Sequence, residues 1–94
     1  MPFTKVAGKH TTHQIKLFTL STCGWCRKTK ELLKENDFAY EYIDVDKLSG
    51  DEYQSIQKEH TKYNSRRSFP TMVIDNGKTV ITGYKEDEIR EALL

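Results

Sequence analysis

The two cysteines of this sequence, Cys23 and Cys26, are separated only by Gly24 and Trp25. A thiolate at one position can attack a disulfide, and a thiol three residues further on can resolve the mixed disulfide that forms. The ring closed by such a pair is too small to constrain the chain, so the cysteines do not read as a structural staple. In a reducing compartment a Cys-x-x-Cys pair is catalytic or metal-binding. The metal alternative has a formal ligand set, because His10 and His13 with the two cysteines make the Cys₂His₂ donors of tetrahedral zinc. Both histidines, however, fall in a polar N-terminal stretch with no carboxylate beside them to orient their rings. The expected reading is therefore a dithiol with no metal and no cofactor. His60 lies on an apolar helix face, where packing is the ordinary role of a histidine.

The segments around the cysteines supply the positioning. Residues 15–20, Ile-Lys-Leu-Phe-Thr-Leu, form a short apolar run before Ser21 and Thr22, as expected of a buried strand. Cys26, Thr29, Leu32 and Leu33 then fall on one helical face, with Arg27, Lys28, Lys30, Glu31 and Lys34 opposite. Cys23 thus sits where a strand hands over to a helix. The free N–H groups of the first turn and the positive end of the dipole favour thiolate there. Arg27 and Lys28 add positive potential, while Cys26, one turn in, is partly shielded.

The helix is expected to end near Asn36-Asp37, and residues 39–45 alternate as a second strand. Ser49 and Glu52 have capping-box spacing before a helix carrying Tyr53, Ile56, His60 and Tyr63. Phe69-Pro70 leads into a third strand, and Asn76-Gly77 predicts a two-residue hairpin to a fourth, 79–81. A terminal helix starts near Glu86-Asp87 and buries Ile89, Ala92 and Leu93. The order is β-α-β-α-β-β-α, with the first two strands parallel and helices on both faces of a four-stranded mixed sheet. Residues 1–14 show neither period and are expected to be a flexible extension, leaving 15–94 as the domain.

The totals agree with this α/β reading. A chain of 94 residues suits one core. A net charge of +1 provides no field for nucleic acid, and no run is long and apolar enough for a membrane span. Residues 1–13 contain no apolar signal-peptide core, so a cytoplasmic address is expected.

Three motifs in order, Phe-Thr-Leu-Ser-Thr-Cys-Gly-Trp-Cys, Ser-Phe-Pro-Thr and Thr-Gly-Tyr-Lys-Glu-Asp, resemble the glutaredoxin-like branch of the thioredoxin superfamily over 15–94. The resemblance implies a thioredoxin-like fold, an attacking Cys23, a resolving Cys26 and a monomer acting on disulfide-containing proteins. It implies a cis bond before Pro70, with the Phe69 backbone left to pair with a substrate strand; an ordinary edge-strand proline is the alternative. It also implies a solvent-facing Trp25 that touches partner proteins, against a ring packed under the loop.

Two electron donors fit the resemblance. Typical glutaredoxins carry a lysine three residues before the first cysteine, where this chain has Leu20, and a Gly-Gly pair, of which only Gly83 matches. Gly83, Tyr84 and Asp87, within Thr-Gly-Tyr-Lys-Glu-Asp, look like the tail motif of NrdH-type redoxins, which take electrons from a thioredoxin-reductase-like protein. Arg66 and Arg67 could still hold a carboxylate of glutathione, or form a solvated loop. The glycine after the first cysteine, Gly24, is found in some glutaredoxins that assemble a shared iron–sulfur cluster, a further use of the same thiols. The expectation is a disulfide reductase re-reduced by a protein, with glutathione as the alternative donor.

Overall fold

The computed structural model describes residues 3–94. Five strands form one sheet in the order β1-β3-β2-β4-β5, with β1 at Thr4–Val6, β2 at Ile15–Thr19, β3 at Tyr40–Asp44, β4 at Thr71–Ile74 and β5 at Thr79–Thr82. The helices are α1 (Gly24–Glu35), α2 (Gly50–Tyr63) and α3 (Glu86–Leu93). Strands β2 and β3 are parallel, joined by α1, and β4 and β5 run antiparallel to their neighbours. Central β2 is covered on both sides, which is why its sequence is a near-continuous apolar run. Ile15 and Leu17 pack with Leu32 and Leu33 of α1 and Ile89 and Leu93 of α3. Phe18 faces the other way, packing with Ile43, Val73 and Ile56 of α2.

Three expectations are corrected. The sheet has five strands, not four: within the first fourteen residues, Thr4–Val6 pairs antiparallel with Tyr40–Tyr42 of β3. Phe3 is buried with its ring edge-on to Phe18 at 5.8 Å, and Lys16 Nζ lies 4.7 Å from the centre of the Phe3 ring. Further along the same segment, His10 bridges Phe38. Residues 1–2 of the expected flexible extension lie outside the described residues.

The β4–β5 connection also differs. Ile74 pairs with Thr79, so four residues, Asp75 to Lys78, make the turn, with positive φ at Asp75, Asn76 and Gly77. Asp75 is drawn out of the ladder: its carboxylate accepts from the Gln14 N–H (2.9 Å) and meets His13 Nδ1 (2.8 Å), and its N–H donates to the Gln14 carbonyl (2.8 Å). Finally, Ser49 is the N-cap of α2 but its hydroxyl makes no capping bond, and Asp51 and Glu52 supply the negative charge of the first turn instead. No helix among the described residues is long and apolar enough to cross a membrane.

Candidate active site

Cys23 caps α1 with an extended backbone (φ −89°, ψ 117°), and its Sγ accepts the Cys26 N–H at 3.3 Å. A sulfur at this position meets one of the N–H groups that a helix leaves without an internal partner. No acidic side chain occupies the first turn of α1, so the dipole acts there without opposition. The loop ahead of Cys23 is held from the turn that follows β3: Asp46 accepts the Ser21 N–H at 2.8 Å and its hydroxyl at 2.5 Å. These two bonds hold the Asp46 carboxyl below its ordinary range.

The two sulfurs differ in environment. Cys23 is half-buried and Cys26 is 1% exposed. Burial, then the contact with Cys23, pushes the Cys26 thiol up to about 12. Lys30, one turn further along α1, opposes this, while its Nζ is tied to Asp44 at 3.3 Å and lies over the Tyr42 ring at 3.9 Å. The Thr19 hydroxyl stands 2.6 Å from the same Asp44 oxygen. One accessible sulfur at the helix start and one buried, protonated sulfur a turn in are the asymmetry that an attacking and a resolving thiol require.

The sheet register brings the other candidate residues to the same end. Thr71, which opens β4, pairs with Phe18 near the end of β2, and Thr82, which closes β5, pairs with Thr71. The Phe69-Pro70 bond is cis. Gly83, at φ 85°, donates its N–H to the Pro70 carbonyl at 2.8 Å, so the Thr-Gly-Tyr tail is fastened to the proline loop. Trp25 is 58% exposed, stacked on Tyr84 with centroids 5.7 Å apart, and Lys28 Nζ lies 5.2 Å from its centroid. The ring is therefore on the surface and not under the loop.

Other candidates are placed less decisively. Tyr84 donates to Glu86 at 3.2 Å, and Asp87 is exposed in the first turn of α3. Arg66 and Arg67 are both exposed, with Arg67 Nη1 donating to Gln57 Oε1 at 2.5 Å. A Cβ on Gly24 would meet nothing within 4 Å, so space does not demand glycine there.

The zinc set is not assembled. His13 lies on Asp75, next to the Ile15–Ile74 pair at the far end of the sheet, and His10 bridges Phe38 ahead of β3. Residues that sequence reasoning missed lie under the proline loop: His60, Asn64 and Thr71 are joined by hydrogen bonds and are all buried. His60 lies in the last turn of α2 and Asn64 at its C-cap, positions that no local pattern singles out.

A mixed sheet between helices, with a Cys-x-x-Cys pair at a strand-to-helix junction beside a cis-proline loop, defines a thioredoxin-like redox fold. The family known as Glutaredoxin matches residues 15–80, and the chain belongs to it. Glutaredoxin 1 of Rickettsia conorii is 35% identical over 68 residues, 72% of this chain and 64% of that relative, so the chain spans somewhat less than two thirds of its length. Methanoredoxin of Methanosarcina acetivorans superposes with a TM-score of 0.82 at 41% identity, covering 88% of this chain and 86% of that one. The glutaredoxin of Methanosarcina mazei Go1 gives 0.86 at 39%, covering 99% and 88%. The NrdH-redoxin of Escherichia coli shares the fold, with a TM-score of 0.64 at 23% identity over 83% of this chain and 92% of that one.

Proposed function

We propose that this glutaredoxin-family chain reduces disulfides of client proteins through Cys23 and Cys26 and is itself re-reduced by a thioredoxin-reductase-like protein. The observation that carries the reading is the asymmetry of the two sulfurs, one half-buried at the N-cap of α1 and one fully buried a turn later. The Cys23 thiolate attacks one sulfur of the client, forming a mixed disulfide and expelling the other client sulfur as thiolate. Cys26 then attacks Cys23 Sγ, its proton passing to the departing client thiolate. The client leaves with one thiol and one thiolate, which takes its proton from water, and the chain keeps a Cys23–Cys26 disulfide. Two electrons from the reductase restore the dithiol.

The backbone of Phe69, beside Pro70, is where a client strand would pair, and Trp25 on Tyr84 offers an exposed aromatic face to the same partner. Leu20 in place of a cation and a single Gly83 in place of a glycine pair favour a protein donor over glutathione. Arg66 and Arg67 are exposed and keep glutathione as the alternative donor.

Cys23→Ser is expected to abolish reduction of a protein disulfide, and Cys26→Ser to accumulate the mixed disulfide, seen as a covalent adduct by mass spectrometry. Retained turnover in Cys23→Ser overturns the mechanism. In a paired assay, a thioredoxin reductase is expected to reduce the disulfide form faster than glutathione with its reductase. The reverse order assigns the chain to glutathione.

A further inference from the structure

His60 takes no part in the dithiol reaction, yet it is completely buried beneath the proline loop. Its ring stacks on Phe18, with centroids 4.8 Å apart and planes 4° from parallel, and lies against Phe69 at 5.0 Å. Its Nε2 is 3.0 Å from Thr71 Oγ1. The residues on either side of Pro70 therefore both touch this imidazole.

The proton count at Thr71 settles how they touch. A hydroxyl has one proton to give and two lone pairs to receive with. The Thr71 proton goes to the Ser68 carbonyl at 2.8 Å, since a carbonyl can only accept. One lone pair takes the Asn64 amide, whose Nδ2 is 2.9 Å away. Only an accepting position is left for His60, so Nε2 carries the proton and donates. Nδ1 is then the bare nitrogen, buried with no hydrogen-bond partner among the described residues. A buried polar atom left unpaired is costly, so the bond at Nε2 is the one that holds the polar edge of this ring.

Asn64 completes the arrangement. Its Nδ2 also donates to Ser68 Oγ at 3.0 Å, and its Oδ1 accepts the Arg66 N–H at 3.2 Å. The loop from Asn64 to Thr71 is thus tied at its two ends, and His60 joins the Thr71 tie to the packing of Phe69.

We propose that His60 is a positioning residue for the disulfide client: through Nε2–H on Thr71 and its ring under Phe69, it fixes the backbone on which the client strand pairs. The proposal rests on the dithiol reading of the site. Its effect falls on client recognition and not on the chemistry of the sulfurs, because the polar neighbours of His60, Thr71 and the Ser68 backbone, both belong to the loop.

Three measurements test it. His60→Phe keeps a stacked ring and removes the donor; its KM for a protein disulfide is expected to rise about tenfold, with kcat and the rate of Cys23 alkylation within about twofold of wild type. His60→Gln, which keeps a terminal N–H of similar reach, is expected to recover KM to within about threefold. An unchanged KM in folded His60→Phe, or a loss confined to kcat, overturns the proposal. Imidazole nitrogen shifts of the wild-type protein by NMR are expected to show Nε2 protonated and Nδ1 bare, and the opposite tautomer also overturns it. This last reading needs no turnover, so a wild type that reduces no disulfide defeats the dithiol reading while the His60 assignment is judged on its own.

Discussion

Cys26 and Cys23 differ by burial more than by sequence neighbourhood, and burial has a measurable chemical consequence. With the Cys26 thiol at about 12, the thiolate fraction at pH 8 is about one in ten thousand. A small alkylating reagent at that pH is therefore expected to modify Cys23 alone, and Cys23→Ser is expected to lose nearly all labelling, as read by mass spectrometry. Labelling of Cys26 in Cys23→Ser at the wild-type rate would show that the second sulfur is not held in the protonated state. The cysteine pair and the Phe69-Pro70 dipeptide are readable as local motifs because each is a short run of neighbouring residues. The His60, Asn64 and Thr71 cluster is not, because the bonds that join it cross a loop whose path depends on the packing of Phe18 and Phe69.

At the scale of elements, long and periodic segments announced themselves and short ones did not. The amphipathic face of α1 fixes its length, from the Cys23 cap to Asn36, as the spacing predicts. Strand β1 is three residues long, and it forms because Phe3 finds Phe18 and because the backbone at Gly8 can approach β3 closely. A Cβ on Gly8 would stand 2.5 Å from the Phe38 carbonyl carbon and 2.7 Å from the Asp37 oxygen, both backbone atoms. Gly8→Ala is therefore expected to destabilise the protein by about 1–3 kcal/mol in urea unfolding and to speed amide exchange in β1. Gly24→Ala, in open space at the start of α1, is expected to stabilise by about 0.5–1 kcal/mol, so the pair separates steric from propensity effects. Equal outcomes for the two would sink this account of β1. The Asn-Gly signal found the chain reversal but not its length, since nothing local shows that Asp75 is held by Gln14 and His13 sixty-odd residues away.

For the whole molecule, titratable groups buried on the two sheet faces shape stability against pH. On the α2 face, burial lowers the pKa of His60, Arg67 lowers it further, and the Ser68 backbone partly restores it. The unfolded chain then binds a proton near the ordinary value of 6.5 before the folded one does, so stability falls as pH drops from about 6.5 through the lower folded value. On the α1 face, burial raises the pKa of both Cys26 and Tyr40, so the unfolded chain loses these protons first, and stability falls as pH rises from about 9 towards 12. The carboxyl groups of Asp46, Asp75 and Glu86, all lowered by hydrogen-bond partners, act mainly below about pH 5, so they leave the interval between pH 5 and 6.5 to His60. Urea unfolding across pH is expected to give a plateau near neutrality with a fall on each side. His60→Gln is expected to flatten the slope between pH 5 and 6.5, and Cys26→Ala to reduce the slope above pH 9, leaving the part that belongs to Tyr40. Because slopes are compared and not levels, a general loss of stability in either variant leaves the test intact, and an acid slope that survives in His60→Gln removes His60 as its source.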